Sequence, residues 1–117
     1  MKEVARSINY KGKEYKIVFN LNVMEEIQAE YKTLDDWGAL TDGKSGETDI
    51  KALIFGLKAM LNEGIEINNE ETGSNDPLLT HKQVGRIISE VGLGAVAENM
   101  NGLVVDSTKV DDEPKNE

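Results

Sequence analysis

The chain has 117 residues, 38% of them hydrophobic and 30% charged, a length and balance that suit one globular domain rather than two. Its formal net charge of −9 argues against a nucleic-acid-binding protein, because contacts with phosphates are made by lysine and arginine. The lack of cysteine excludes disulfides and thiolate sites and fits a cytosolic protein, and no stretch has the ~20 apolar residues of a membrane span.

The N-terminal region predicts a β-hairpin. Residues 4–10, VARSINY, alternate loosely, and residues 15–19, YKIVF, are rich in aromatic and β-branched residues. Residues 11–14, KGKE, lie between them and are typical of a turn. The region also carries a cluster of basic residues, which favours a solvated hairpin with charged edges: Lys2, Arg6, Lys11, Lys13 and Lys16.

Two short helices are predicted after the hairpin. Asn22 begins a pattern similar to a capping box, and the residues that follow predict an amphipathic helix over about residues 23–32. Thr33 begins a second, shorter segment that contains Trp37, the only tryptophan. We expect Trp37 to fold back on the first of these helices.

Residues 49–63, DIKALIFGLKAMLNE, predict the central helix of the domain. At 100° per residue, the large apolar residues fall on one broad face: Ile50, Leu53, Ile54, Leu57, Met60 and Leu61. A helix that is apolar nearly all round is covered on more than one side. Gly64 suits the left-handed position that follows a last helical residue, so we predict that the helix ends there.

The opposite side of this helix has a strip of small residues and one aromatic: Ala52, Phe55, Gly56 and Ala59. One interpretation is close packing against the hairpin or another helix, since small residues let elements approach. The other is a partner groove anchored by Phe55, whose burial would contribute about 1.5–3 kcal/mol. We assign Met100 and Leu103 to the same candidate partner-binding surface.

A loop and a helix are predicted next. Residues 64–76 contain four acidic residues and no basic one, which is typical of a mobile loop. The residues Thr80-His81-Lys82-Gln83 form a T-x-x-Q capping box. They predict the start of an amphipathic helix over about residues 81–91.

A weaker last helix follows, interrupted by Gly102. Residues 106–117 contain one aliphatic residue and are expected to form a disordered acidic tail, which leaves residues 1–105 as a single globular domain. The predicted fold class is therefore α+β, mostly α. Its N-terminal β-hairpin is followed by about four helices packed around a central helix.

Several patterns that could carry chemistry have simpler structural interpretations. His81 has no second ligand near it, and one imidazole makes neither a metal site nor a general base. Residues 92–97 match G-x-G-x-x-A, but the dinucleotide fingerprint needs a preceding strand, and here a helix is predicted. The acidic pairs at 25–26 and 35–36 lie in the first turns of predicted helices, where acids are favourable. Lys44 interrupts any EF-hand ligand pattern. We therefore predict no enzyme, no metal and no cofactor.

The order of these parts resembles that of a known family. The first helix is opened by F-x-L-x-x-M-E-x-I and a later one by L-T-x-x-x-V-G-x-I-I, with a tryptophan segment and the central helix between them. The matching residues are Phe19, Leu21, Met24, Glu25, Ile27, Ile50, Leu53, Leu57, Met60, Leu79, Thr80, Val84, Gly85, Ile87 and Ile88. Over about residues 8–105 the chain resembles the tail assembly chaperones of long-tailed phages and prophages, including the related proteins of gene transfer agents.

This resemblance implies a small, mostly helical protein that binds the tape measure protein and helps to recruit tail tube subunits. It implies a cytoplasmic location in a bacterial host and absence from the finished virion, without nucleic-acid or membrane binding. Many members also have a longer form made by frameshifting, and the acidic end of this chain resembles the short form. The acidic stretch at 64–76 departs from the family pattern.

Two functions from different classes are compatible with the sequence. The first is an assembly chaperone whose exposed apolar surface holds a helical client with a basic rim, and self-association would compete for that surface. The second is an acidic regulatory or inhibitory module that imitates nucleic acid. The net charge permits this alternative but does not establish it.

Overall fold

The described part of the chain consists of one antiparallel hairpin and five helices. The computed structural model describes residues 2–44 and 46–111, and side chains as far as residue 108. In chain order the elements are β1 (Val4–Tyr10), β2 (Lys13–Phe19), α1 (Leu21–Tyr31), α2 (Leu34–Thr41), α3 (Ile50–Thr72), α4 (His81–Val91) and α5 (Leu93–Asp111). The predicted class, α+β and mostly α, is confirmed.

The predicted hairpin is confirmed, with a shorter turn than expected. β2 begins at Lys13, because the turn consists of only two residues, Lys11 and Gly12. Their φ angles are +51° and +78°, as a type I′ turn requires at both central positions. The register places Ser7 opposite Lys16 and Val4 opposite Phe19.

Helix α1 begins at Leu21, one residue before the predicted cap. Asn20 is its N-cap, and the Oδ1 atom of Asn20 accepts a hydrogen bond from the Val23 amide at 3.2 Å. The predicted cap Asn22 lies inside the helix, where its Nδ2 donates to Glu63 Oε2 at 3.0 Å. The prediction of Asn22 was wrong because both asparagines suit a cap, and strand β2 ends at Phe19, immediately before the first of them.

Helix α2 starts at the predicted cap. The Oγ1 atom of Thr33 accepts a hydrogen bond from the Asp36 amide at 2.9 Å. Trp37 is buried, and its indole Nε1 donates to the Ala52 carbonyl oxygen of α3 at 2.9 Å. The indole thus hydrogen-bonds to the central helix, while α2, which carries it, also packs on α1, the helix on which we expected Trp37 to fold back.

The central helix is longer than predicted. Helix α3 continues through Gly64 to Thr72 and ends at Gly73, which has a φ of +75° and donates its N–H to the Asn69 carbonyl. Gly64 is buried where α3 crosses β2, and a Cβ atom there would lie only 2.7 Å from the Lys16 carbonyl oxygen. Glycine therefore serves close approach at residue 64 and the left-handed cap at residue 73.

The stretch predicted as a mobile loop, residues 64–76, is helical to Thr72, and the chain that follows is held by side chains. The side-chain amide of Asn62 donates to the Leu79 carbonyl at 3.1 Å and accepts from the Leu79 amide at 2.8 Å. Asn69 makes the same pair of bonds with Asp76, both at 3.0 Å. The two asparagines lie on one face of α3, two turns apart, and fasten the returning chain to it.

Helix α4 starts at the predicted capping box: Thr80 accepts from the Gln83 amide, and the Gln83 side chain accepts from the Thr80 amide. Its buried stripe consists of Val84, Ile87 and Ile88, as the sequence pattern indicates. Gly92, with a φ of +107°, separates α4 from α5.

Helix α5 is continuous through Gly102, contrary to the predicted interruption. The Arg6 guanidinium occupies the space beside Gly102, 2.6 Å from where a Cβ would lie, and its Nη2 is 3.3 Å from Asp106 Oδ2. The helix also extends past the predicted start of the tail at residue 106, and Ser107 is buried. Residues 112–117 of the predicted tail lie outside the described residues.

The core forms around α3, which packs on β2, α1, α2 and α4, while Met100 of α5 approaches it at Gly56. The largest fully buried side chains come from β2 and from every helix: Trp37, Phe19, Ile17, Ile27, Leu53, Leu57, Met60, Leu61, Ile87, Met100, Leu103 and Val23. Within residues 2–44 and 46–111, no helix has both the length and the apolar character needed to cross a membrane.

Candidate partner-binding groove

The six residues predicted to bind a partner lie mostly in the interior. Ala52, Met100 and Leu103 are no more than 1% exposed, Ala59 is 8% exposed, and Gly56 is buried. Phe55 alone is half-buried, with its ring edge-on to Tyr31 and the centroids 5.5 Å apart.

The small residues of this strip make room for Trp37. A Cβ at Gly56 would overlap the Trp37 ring carbon Cζ2 and lie 2.9 Å from Met100 Cε. Ala52 supplies the carbonyl that accepts the indole hydrogen bond. Close packing, one of the two interpretations of the strip, describes this arrangement. Partner binding by these residues stays a prediction, and the buried ones could reach a partner only if the helices separated.

A different surface is open. At the end of the molecule where the connection between α2 and α3 meets the start of α5, a groove of about 360 Å³ is formed. It is lined by Asp42, Thr48, Leu93, Gly94, Ala97, Glu98 and Asn101. The five α5 residues recur at the spacing of one helical face, so a single side of the helix forms one wall.

The lining of the groove combines apolar and acidic residues. Leu93, which is 44% exposed, lies one turn before Ala97, and Gly94 is next to Leu93. The charged groups are the carboxylates of Asp42 and Glu98, and none of the described residues that line the groove is basic. Such a site suits an apolar side chain that is flanked by a cation.

Further exposed apolar residues lie on the segments that flank the groove. Leu40, in the last turn of α2, is 38% exposed. Its carbonyl oxygen accepts a hydrogen bond from the Asp49 amide at 2.8 Å, so the end of α2 lies beside the start of α3. Ile50, the first residue of α3, is 47% exposed. With Leu93, they make up three of the six large apolar side chains that the described residues leave exposed.

A separate surface of α1 and α3 is acidic. Partial burial raises the pKa of Glu26, and the negative charges of Glu63 and Glu66 raise it further. Glu63 is in turn fixed by hydrogen bonds from the Nδ2 atoms of Asn20 and Asn22, at 2.8 and 3.0 Å. This cluster offers charge but no metal site: no group of three or more His, Cys, Asp or Glu in the part of the chain that the structure describes could hold a metal ion.

The remaining candidate patterns are surface or connecting features. His81 is the exposed first residue of α4. Of residues 92–97, Gly92 alone lies between α4 and α5 and the other five begin α5, so a helix precedes the glycines as predicted. The sequence pattern did not identify Leu93 and Ala97 as a surface. The available signal was their spacing of four residues on one helix face, next to two glycines.

Comparison of the chain with protein-family models, with curated proteins and with solved structures found no match. Function is therefore inferred from the geometry of the groove together with the motif resemblance described above.

Proposed function

We propose that this protein is a non-catalytic chaperone of phage or prophage tail assembly. It binds a helical segment of a tape measure protein in the groove formed by Leu93, Ala97, Asp42 and Glu98, and it helps to recruit tail tube subunits in the cytoplasm of a bacterial host. The observation that carries the proposal is that apolar and acidic residues, and no basic residue among those described, line that groove.

The volume of the groove is at the lower end of the range for small-molecule sites, which is about 300–1,000 Å³. At about 360 Å³ it accommodates an anchoring side chain of a client rather than a whole helix. An amphipathic helix would insert this apolar anchor against Leu93 and Ala97 and place lysine or arginine beside Asp42 and Glu98. The rest of its apolar face would cover Leu40 and Ile50, which are exposed in the free protein.

Co-expression with the tape measure protein tests this function. We expect the client to be soluble with this protein and to aggregate without it, and we expect the complex to survive gel filtration at low salt. If the client is equally soluble alone and no complex is recovered, the chaperone function is wrong.

The acidic cluster favours a second candidate function, an inhibitory module that imitates nucleic acid. Partial burial raises the pKa of Glu26, and the negative charges of Glu63 and Glu66 raise it further. The three carboxylates are therefore close together, as the phosphates of a nucleic acid are. Such a module would bind a basic DNA-binding protein through this cluster. Replacement of Glu63 and Glu66 by Gln would then abolish binding, whereas Leu93→Asp would leave it unchanged.

A further inference from the structure

The end of the hairpin next to its turn carries basic and aromatic side chains together. The antiparallel register places Tyr10 opposite Lys13, and Tyr15 follows Lys13 by two residues, so these three side chains lie on one face of the hairpin. Lys11 joins them from the turn. The two tyrosine rings are in contact, with centroids 6.4 Å apart and planes at 52°. We call Tyr10, Lys11, Lys13 and Tyr15 the hairpin tip.

Each ammonium group of the hairpin tip lies over one of the rings. Lys11 Nζ is 5.5 Å from the ring centroid of Tyr10, and Lys13 Nζ is 5.0 Å from that of Tyr15. Both rings are half-buried and pack against the hydrophobic core, which fixes their positions. The cation–π contacts therefore restrict the two lysine side chains before any ligand arrives, and this lowers the entropy that is lost on binding.

The four polar ends of the hairpin tip are available to a ligand. Within residues 2–44 and 46–111, neither ammonium group forms an ion pair, and neither tyrosine hydroxyl forms a hydrogen bond. An ammonium group can only donate hydrogen bonds, and a tyrosine hydroxyl can donate one. The hairpin tip thus brings together several donors and two positive charges, which suits carboxylates as ligands.

Positive charge is concentrated in this part of an otherwise acidic chain. Residues 1–16 contain five of the thirteen basic residues and only two of the twenty-two acidic ones. Neither of these two acids belongs to the face of the hairpin tip. Glu14, opposite Asn9, lies on the other face of the hairpin, and Glu3, before the far end of β1, accepts a hydrogen bond from Asn20 at 2.8 Å.

We propose that the hairpin tip binds an acidic segment of a partner protein. Carboxylates of the segment accept hydrogen bonds from the ammonium groups of Lys11 and Lys13 and from the hydroxyls of Tyr10 and Tyr15. This surface shares no residue with the groove, so its partner is additional to the client bound there.

Charge and ring packing favour a protein segment over a nucleic acid as the ligand. A short acidic segment touches the hairpin tip alone, whereas the continuous charge of a nucleic acid would also meet the acidic remainder of the chain. Bases would need open ring faces for stacking. Here the rings are half-buried, and each already holds an ammonium group.

Fluorescence anisotropy with a labelled acidic peptide tests the proposal. The probe is a fluorescein-labelled peptide of repeated Glu-Ser pairs, and the same peptide with glutamine in place of glutamate is its control. The glutamate peptide should bind the full chain saturably and more weakly as salt is added, whereas the glutamine peptide should not bind. Equal binding of the two peptides, or no binding of the glutamate peptide up to millimolar concentration, overturns the proposal.

Two double variants of equal charge locate the binding. Lys11→Gln with Lys13→Gln removes both ammonium groups of the hairpin tip and should weaken binding of the glutamate peptide about tenfold. Lys51→Gln with Lys82→Gln is the matched control, because it removes the same charge from exposed positions in the first turns of α3 and α4. It should bind like the unmodified protein. If both double variants weaken binding equally, net charge attracts the peptide and the proposal is wrong.

The tyrosine hydroxyls are tested without disturbing the rings. Tyr10→Phe with Tyr15→Phe keeps the packing against the core and removes only two donors, so it should weaken peptide binding about threefold or more at an unchanged melting temperature. An unchanged affinity would overturn the proposal that these four residues form one binding site.

Two further measurements identify the surface and the class of ligand. The amide NMR signals of residues 10–15 should shift when the glutamate peptide is added, and shifts confined to other residues would overturn the proposal. A labelled oligothymidylate should bind more weakly than the peptide at the same salt concentration, and tighter binding would assign the hairpin tip to nucleic acid instead. Leu93→Asp should leave peptide binding unchanged, so a failure at the hairpin tip does not bear on the groove.

Discussion

At the scale of single residues, several glycines of this chain are explained by what lies beside them. Gly56 makes room for Trp37 and Met100, Gly64 for the carbonyl of Lys16, and Gly102 for the guanidinium of Arg6. Gly38, in contrast, has no atom within 4 Å of where its Cβ would lie. This difference gives glycine-to-alanine substitutions opposite expected signs, although both positions are helical.

Gly56→Ala should destabilise the protein. In a helix interior alanine is more favourable than glycine by about 1 kcal/mol, but the added Cβ would overlap the Trp37 ring, and overpacking a core costs about 1–3 kcal/mol. Gly38→Ala is the matched control and should stabilise by about 0.5–1 kcal/mol, because its Cβ meets open space. Urea unfolding measures both, and a stabilised Gly56→Ala variant would contradict the packing of Trp37 against α3.

Glu26 should make stability depend on pH. Its pKa is raised above the ordinary value of 4.5 in the folded protein, so the folded state binds this proton more tightly than the unfolded chain does. The resulting stabilisation is present at low pH and is lost as pH rises from 4.5 through the raised pKa. Glu26→Gln should therefore increase stability at pH 7 and flatten this part of the profile.

Glu14→Gln is the control for Glu26→Gln, because it removes the same charge from an exposed position on β2. Thermal unfolding between about pH 4 and pH 7 distinguishes the two, since the window follows from the direction of the Glu26 shift. If the two profiles are parallel, burial and the charges of Glu63 and Glu66 do not raise the pKa of Glu26 as the structure indicates.

At the scale of elements, the C-terminal half of α3 and the chain that returns beside it form one unit. Asn62 and Asn69 use both donor and acceptor of their amides to bind the backbone of Leu79 and Asp76. A side-chain amide thus supplies the hydrogen bonds that a neighbouring strand would otherwise supply.

Asn62→Ala should loosen this unit. It removes two hydrogen bonds, which together contribute about 1–3 kcal/mol, and it should speed amide exchange at Leu79. Asn68→Ala, at an exposed position of the same helix, should instead stabilise slightly through higher helix propensity. Equal effects of the two variants on the free energy of unfolding would show that the returning chain is not held by Asn62.

Local signals predicted the elements well, and contacts between distant segments decided where the prediction was wrong. The hairpin turn and the caps at Thr33 and Thr80 depend on neighbours within a few residues, so they were visible in the sequence. The end of α3 was not visible in the sequence, because a glycine at residue 64 is typical of a helix end. Only its contact with the Lys16 carbonyl, which is distant in sequence, explains why it lies inside the helix. The groove was missed for the same reason, because it exists only where Thr48 meets the start of α5.

At the scale of the whole molecule, acidic residues lie both at the groove and in a separate cluster on α1 and α3. The exposed residues Leu40, Ile50 and Leu93 belong to the end that carries the groove, whereas Glu26, Glu63 and Glu66 form a cluster on α1 and α3. A net charge of −9 keeps copies of the protein apart and attracts a client with a basic rim. Association with such a client should therefore slow as salt is added.

The measurement that tests the groove most directly is calorimetric titration with an amphipathic helical segment of the tape measure protein. The decisive variant is Leu93→Asp, and Val105→Asp is its control, because both residues lie on α5 and are 44% and 57% exposed. Burial of a leucine contributes about 1.5–3 kcal/mol, so Leu93→Asp should weaken binding at least about tenfold, while Val105→Asp should bind as the unmodified protein does. Equal affinity of the two variants for the segment would contradict the proposal that the groove holds the client.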